Sequence, residues 1–137
     1  MSKCENFLIT KTSLYTIAKG ACIMASGGGG SYQIAKYTID KKFAKDDTID
    51  CIPCKSVDDD SFLSGAACMF PPSILTKQTD TISPLINAYD SLETWCRDSV
   101  EKRFKNFKKF KYFHPLEVGA INTVAPIIAM VKRNKKG

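Results

Sequence analysis

The sequence predicts an α/β fold in a single domain, and three observations lead to this prediction. Segments with helical periodicity alternate along the chain with short segments that are β-branched or continuously apolar, as in proteins whose helices pack on strands. The 137 residues suffice for one hydrophobic core. With 44% hydrophobic and 25% charged residues, the composition is that of a folded globular protein.

Two helices are predicted in the first third of the chain. Thr10 is placed to cap the first helix, in which apolar residues recur at helical spacing from Leu14 to Cys22. Gly20 inside this helix predicts close packing against another element, because glycine otherwise destabilises a helix. Ser31 is placed to cap the second helix, which ends among lysines where cations favour a helix C-terminus.

Three strands are predicted in the rest of the chain. Residues 48–54 (TIDCIPC) alternate and begin with β-branched residues, and residues 110–116 (FKYFHPL) are predicted as another strand. Residues 65–70 (GAACMF) form a short apolar run that is typical of a strand buried on both faces.

Two further helices accompany these strands. Ser83 and Pro84 predict the start of a long helix, with serine as the N-cap and proline in the first turn, and its apolar face continues to about Phe104. The expected buried face comprises Leu85, Ala88, Tyr89, Leu92, Trp95, Cys96 and Ser99. A last helix is predicted over residues 123–131, with Pro126 in its first turn.

The stretch from Ser26 to Ser31 contains four consecutive glycines between the first two helices. They are Gly27, Gly28, Gly29 and Gly30. Glycine is costly to order, but it allows positive φ angles and a close approach of the backbone to a ligand. Where such a loop runs into a helix, its N–H groups and the helix dipole form an anion site. The alternative is a flexible joint, and composition alone does not choose between them.

Residues 117–122 follow a predicted strand and precede the last helix. In open α/β sheets, ligands bind beyond the carboxyl ends of the strands, which places Glu117 and Asn122 where chemistry is expected. Glu117 is a candidate general acid or base if it is desolvated. Asn122 either caps the helix or contacts a ligand, and the cap is favoured.

Other polar candidates have weaker contexts. Cys51 and Cys54 match C-x-x-C, but zinc would need further ligands, and buried packing of the two thiols is favoured over a metal or redox role. His114 is the only histidine, which excludes multi-histidine metal sites, and a structural role is favoured for it.

Aromatic and basic residues are interleaved near residues 104–113. Phenylalanines that alternate with lysines resemble a nucleic-acid surface, but they are better explained as the core side of an amphipathic stretch. The net charge of +6 is concentrated in residues 101–111 and 132–136, so it does not support general affinity for nucleic acid. We therefore expect no nucleic-acid partner.

The sequence also predicts a cytoplasmic protein without a membrane segment. The N-terminus MSKCENFLIT has no signal-peptide core, so the six cysteines are expected in a reducing compartment. The longest largely apolar run, residues 120–131, is too short to cross a bilayer.

Two stretches together resemble the N-terminal domain of the S-methyl thiohydantoin desulfurase family, which is linked with hydantoinase and oxoprolinase proteins. Residues 17–30 (IAKGACIMASGGGG) are similar to the family's helix and tetraglycine loop. Residues 115–126 (PLEVGAINTVAP) are similar to its Pro-x-Glu-x-Gly-x-x-Asn turn and helix. Their order and spacing also fit, so the resemblance covers nearly the whole chain.

This resemblance implies a three-layer α/β/α sandwich over residues 1–131, followed by a basic tail over residues 132–137. It implies that the glycine loop and the Glu117 turn meet at one edge of the sheet and bind a small heterocycle of the thiohydantoin or hydantoin type. The loop amides would hold a carbonyl, thiolate or carboxylate, Glu117 would manage a proton, and Asn122 would orient the ring. An active domain would be hydrolase-like, and no cofactor is assigned.

Two departures from the family pattern support an alternative. The family's Met-Gly-x-Pro is Met69-Phe70-Pro71-Pro72 here, and family members continue into a further strand and a β-rich second domain. The alternative is a truncated, non-catalytic domain that binds a small anion or a partner chain. That partner would be a C-terminal domain or a second copy of the chain.

Overall fold

The computed structural model describes residues 5–69, 80–99 and 104–135. The family departure at residues 70–72 lies outside this part of the chain. The helices and strands occur in the following order: β1 (Phe7–Ile9), α1 (Lys11–Met24), α2 (Tyr32–Lys42), β2 (Ile49–Cys51), a short 3₁₀ helix (Cys54–Ser56), β3 (Leu63–Ala66), α3 (Ile82–Asp98), β4 (Tyr112–Pro115) and α4 (Ala120–Asn134).

The mixed α/β class is confirmed. Within the described residues, the strands form two separate pairs: β1 is antiparallel to β2, and β3 is parallel to β4. Strands β2 and β4 lie within the predicted ranges 48–54 and 110–116. Strand β3 begins before the predicted range 65–70 and shares only Gly65 and Ala66 with it; Leu63 is exposed, so β3 is not buried on both faces, and residue 70 lies outside the described residues. A three-layer sandwich is not visible in these residues and stays a prediction.

Helix α4 is the centre of the fold, because it packs against α1, α2, α3 and β4. Most of its residues are buried, since its apolar positions cover nearly the whole circumference. It begins at Ala120, earlier than predicted, so Pro126 lies inside the helix rather than in its first turn. It also continues through Lys132 and Arg133.

Local capping chemistry explains the starts of the first three helices. Thr10 forms a capping box with Ser13, and the Ser31 side chain accepts a hydrogen bond from the amide of Ile34 (3.4 Å), as predicted. The prediction of Ser83 as a cap is wrong. Helix α3 begins at Ile82, and an Asp80 carboxylate oxygen accepts from the amides of Ile82 (3.0 Å) and Ser83 (3.1 Å).

The buried face of α3 is rotated from the predicted one, and the helix ends at Asp98 rather than near Phe104. Leu92 and Trp95 are 40% and 51% exposed, respectively. The buried residues are Ile82, Leu85, Ile86, Tyr89, Glu93 and Cys96. Glu93 can lie on the inner face because its carboxylate accepts hydrogen bonds from a backbone amide and from an arginine. A buried face predicted from apolar residues alone therefore leaves this charged residue out.

A second, aromatic core lies beside α3. Phe107 and Phe110 are buried, with ring centroids 4.9 Å apart and an edge-to-face angle of 69°. The cluster also contains the buried Cys96, and Phe62, Phe104 and Phe113 pack against it. The packing interpretation of these phenylalanines is therefore confirmed.

None of the helices within the described residues is both long enough and apolar enough to cross a membrane.

Candidate ligand site at the glycine loop

The candidate site begins at the carboxyl ends of the parallel strands β3 and β4. Ala66 is paired with Pro115, and the amide of Leu116 donates to the carbonyl of Ala66 (2.9 Å), so both strands end at the same edge. The segment containing Cys68 leaves one strand and the turn containing Glu117 leaves the other. This is the edge at which α/β proteins bind ligands.

The glycine loop joins this edge through the start of α4. The carbonyl of Gly29 accepts hydrogen bonds from the amides of Ile121 (3.0 Å) and Asn122 (3.2 Å). These amides belong to the first turn of α4, where backbone donors have no partner within the helix. The N-cap residue is Gly119, which has no side chain to supply such a cap. The loop backbone therefore caps the helix.

The inner half of the loop, Gly29 and Gly30, packs too closely on α4 for any side chain. A Cβ added at Gly29 would lie 2.6 Å from the Cα of Gly119, and one added at Gly30 would lie 2.8 Å from the Cβ of Ile121. Both glycines also have positive φ angles, 62° and 89°. Glycine is required at both positions on both grounds.

The outer half of the loop, Ser26 to Gly28, is exposed. Ser26 and Gly27 have positive φ angles of 49° and 97°, and a Cβ added at Gly27 would meet no atom within 4 Å. The amides of Ser26 and Gly28 donate to the carbonyls of Ile23 and Ala25, which closes the end of α1.

Three loop amides have no hydrogen-bond partner in the part of the chain that the structure describes. Among the described residues, the N–H groups of Gly27, Gly29 and Gly30 donate to no carbonyl or side chain. The loop thus combines a defined backbone with N–H groups that no described residue accepts from, and a flexible joint would need neither feature.

The two predicted polar residues of the site differ in environment. Glu117 is exposed, so the desolvation that would favour a general acid or base is not provided by the described residues. Asn122 is 2% exposed, and its Oδ1 accepts from the amide of Cys68 (2.9 Å). Because Gly119 is the N-cap, the cap interpretation of Asn122 is wrong. Asn122 instead joins the segment after β3 to α4.

Sequence reasoning did not single out Cys68. It is partly buried beside the main core, and burial raises the pKa of its thiol to about 11. In the sequence it was only one residue of an apolar run, and the spacing of Asn122 carries no signal for a contact with it.

The other candidates remain apart from the loop contacts. Cys51 lies in β2, and Cys54 is exposed at the start of the short 3₁₀ helix. His114 is exposed, and its Nδ1 lies 2.9 Å from the carbonyl oxygen of the adjacent Pro115. The hydrogen bonds that join Gly29, Asn122 and Cys68 involve neither Cys54 nor His114.

Exposed apolar side chains occur in three segments of the chain: the end of α1 before the glycine loop, the segment after β3 and the turn after β4. Leu116 is 64% exposed although it covers Gly65, where an added Cβ would lie 2.3 Å from its Cδ2. The other exposed apolar residues of these segments are Ile23, Met24, Met69 and Val118. Leu116 and these four residues form what we call the apolar rim.

Interleaved helices and strands, with a glycine loop capping the central helix, define an α/β domain. A family model described as S-Me-THD-like, N-terminal domain matches residues 12–136, and the chain belongs to this family. The resemblance carried by residues 17–30 and 115–126 is thereby confirmed. Comparisons with curated proteins and with solved structures gave no match.

Proposed function

We propose that this desulfurase- and hydantoinase-associated domain binds a small heterocycle of the thiohydantoin or hydantoin type at its glycine loop. The observation that carries the proposal is that the N–H groups of Gly27, Gly29 and Gly30, in a loop of defined conformation, donate to no other residue that the structure describes. Because the backbone already holds these donors in place, binding a ligand costs little conformational entropy.

The chemistry of the loop suits an electron-rich acceptor. Helix α2 begins at Tyr32, directly after the loop, so the positive end of its dipole lies beside these amides. Carbonyl oxygens, thiocarbonyl sulfurs and the deprotonated ring of a hydantoin are all acceptors of this kind. Backbone N–H groups at a helix start favour such groups over cations.

The two polar residues take different parts in this proposal. The exposed carboxylate of Glu117 exchanges a proton between the ring and solvent. Asn122 acts indirectly, because its Oδ1 is engaged by the amide of Cys68 and holds that segment against α4. Ser31 acts through the cap of α2, since its side chain accepts from Ile34. Ser26 contributes its backbone conformation to the outer loop.

A second candidate is a non-catalytic domain that binds an anion or a partner chain. The exposure of Glu117 and of the apolar rim favours it, because a partner would bury both. In this case a C-terminal domain or a second copy of the chain completes the site.

Calorimetric titration with 2-thiohydantoin, hydantoin and inorganic phosphate separates the two candidates. Binding of the heterocycles supports the first candidate, and binding of phosphate alone supports an anion-binding domain. Binding of none of the three contradicts both of these and leaves a domain that binds a partner chain. A heterocycle at 100 times its Kd should stabilise the domain by about 2.7 kcal/mol. DNA and RNA should not bind at low salt.

A matched pair of glycine variants tests the place of binding. Gly27→Ala strains a positive φ without a clash, so we expect it to weaken the heterocycle about tenfold while the domain stays folded. Gly20→Ala also meets no atom within 4 Å but lies in α1, and it should leave affinity unchanged. Equal affinities of the two variants would contradict a site at the loop.

Glu117→Gln separates binding from turnover. Loss of the ionisable group should reduce turnover of a bound heterocycle by at least tenfold while changing its affinity little. Unchanged turnover would exclude the proton-transfer role of Glu117.

A further inference from the structure

The paired helices α1 and α2 carry far more positive than negative charge. No aspartate or glutamate occurs between residues 6 and 39, and the two helices together contain five lysines and one aspartate. The aspartate, Asp40, is already paired, because Lys36 Nζ lies 2.9 Å from its Oδ2 and the hydroxyl of Tyr15 donates to its Oδ1. The helix pair therefore presents a surplus of cations to its surroundings.

These cations follow the seam between the two helices, which pack against each other. Residues at four-residue spacing on each helix form what we call the lysine seam: Lys11, Tyr15 and Lys19 on α1, and Tyr32, Lys36 and Asp40 on α2. Lys11 Nζ lies 3.5 Å from the carbonyl oxygen of Asp40, and Lys19 Nζ lies 5.7 Å from the ring centroid of Tyr32, so the helices run antiparallel. Because four helical residues rise about 6 Å, the three lysines succeed one another along the seam in steps of about 6 Å.

Two lysines of the seam lie over tyrosine rings. Lys36 Nζ is 6.0 Å from the ring centroid of Tyr15, and Lys19 has the same relation to Tyr32. The ring face attracts the ammonium group, so these side chains have less freedom to lose on binding than unsupported lysines. Within the part of the chain that the structure describes, no carboxylate lies within 4 Å of Lys19 Nζ.

The same contacts indicate the chemistry of a partner. Tyr15 and Tyr32 pack partly against the main core and each has a lysine over its ring, so neither ring is free to stack on a nucleobase. Neither helix contains arginine, which binds phosphate through two parallel hydrogen bonds. A second copy of the chain would carry the same net charge of +6 and would be repelled overall. Carboxylates of a different protein match the seam best.

We propose that the lysine seam is an interaction surface for an acidic segment of another protein, whose carboxylates pair with Lys11, Lys36 and Lys19. Carboxylates at every second position of an extended segment, about 7 Å apart, or at every fourth position of a helix, about 6 Å apart, fit the spacing of the lysines. Each exposed ion pair is weak, so binding depends on several pairs and falls as salt rises. Neither the loop amides nor Glu117 takes part, so this inference is independent of the proposed function.

A fluorescent peptide of alternating serine and glutamate, about eight residues long, provides the probe, and a serine–lysine peptide of equal length is its control. By fluorescence anisotropy at about 20 mM NaCl, the glutamate peptide should bind and the lysine peptide should not. Raising NaCl to about 200 mM should weaken binding at least fivefold, because the pairs are exposed to solvent.

Two charge reversals locate the binding surface. Lys19→Glu should weaken the glutamate peptide about tenfold, since a repulsion replaces an attraction. Lys109→Glu changes the net charge equally, but Lys109 is exposed between the buried Phe107 and Phe110 of the aromatic core. It should leave the affinity within about twofold of the wild type, because its charge lies outside the seam. Circular dichroism should show both variants folded, since both lysines are exposed.

Four results would overturn the inference. Absence of peptide binding to the wild type removes the surface and leaves heterocycle binding at the loop untouched. Equal losses in Lys19→Glu and Lys109→Glu would mean that net charge alone attracts the peptide. Single-stranded DNA of the same length that binds more tightly than the peptide, and is lost in Lys19→Glu, would assign the seam to nucleic acid. Self-association of the wild type in sedimentation velocity, abolished by Lys19→Glu, would assign it to a second copy.

Discussion

The two ends of helix α4 are held in contrasting ways. At its start, the backbone of Gly29 packs on Gly119 and caps the first turn. At its other end, Lys132 and Lys135 pair with the buried Asp47, and Arg133 pairs with Asp90 and Glu93. The contacts at the first end are close packing and uncharged hydrogen bonds, and those at the second end are ion pairs.

The two ends of α4 should therefore respond differently to mutation, pH and salt. Backbone packing tolerates no added atom, but it depends little on pH or salt because no charge takes part. Ion pairs tolerate small changes of shape, but they depend on protonation and, where exposed, on ionic strength. The candidate site lies at the uncharged end, so the position of the loop should be insensitive to conditions that weaken the charged end.

The largest effect is expected from Gly119→Ala. Its Cβ would lie 2.3 Å from the Cα of Gly29, although the φ of 169° suits any residue, so the cost comes from packing alone. We expect a loss of about 3 kcal/mol in the free energy of unfolding, measured by urea denaturation. An unchanged stability would show that the loop and the helix start can separate freely.

Arg133→Met should have the next largest effect. The change leaves Glu93, which is 4% exposed, without its cation, while the amide of Phe110 still donates to the carboxylate (2.9 Å). We expect a loss of about 2 kcal/mol, below the range for fully buried pairs because Arg133 is partly exposed. Lys36→Met, which breaks the exposed pair with Asp40, is the control and should cause no measurable change.

A smaller effect, visible as pH dependence, is expected from Asp47→Asn. Burial alone would raise the pKa of Asp47, but Lys135, the Ala44 amide and Lys132 outweigh it and hold the pKa below its ordinary value. The stabilisation is therefore complete above the unfolded pKa of about 3.9 and is lost as the pH falls through the lower folded value.

Urea midpoints measured between pH 5 and pH 2 provide the test of this prediction. Stability of the wild type should fall over this interval, and that of Asp47→Asn should fall less. Parallel curves would mean that Asp47 has the same pKa in the folded and unfolded chains.

The smallest effect, and the only gain, is expected from Gly20→Ala. Gly20 is exposed within α1, and an added Cβ would meet no atom within 4 Å, so the prediction of close packing there was wrong. Alanine should stabilise the helix by about 0.5–1 kcal/mol, measured in the same urea experiment. A loss instead would indicate that α1 contacts a further surface in solution.

Elements governed by neighbouring residues were predictable from the sequence. The caps at Thr10 and Ser31 follow from a side chain that reaches an amide a few residues away, and such bonds form wherever the local backbone allows. The start of α3 was misassigned because Asp80 offers the same chemistry slightly earlier than Ser83. Several neighbouring residues have side chains that can cap a helix, and local chemistry alone does not predict which of them forms the cap.

The sequence by itself determined the alternation of helices and strands, the family, and the presence of a glycine loop between two helices. Only the tertiary structure decided which glycines are required by packing, since a Cβ added at Gly20 would meet no atom within 4 Å, whereas one added at Gly29 would lie 2.6 Å from the Cα of Gly119. It likewise decided that Asn122 holds Cys68 rather than capping a helix. The physical reason is that these contacts join residues far apart in the chain, and periodicity and capping rules describe only neighbours.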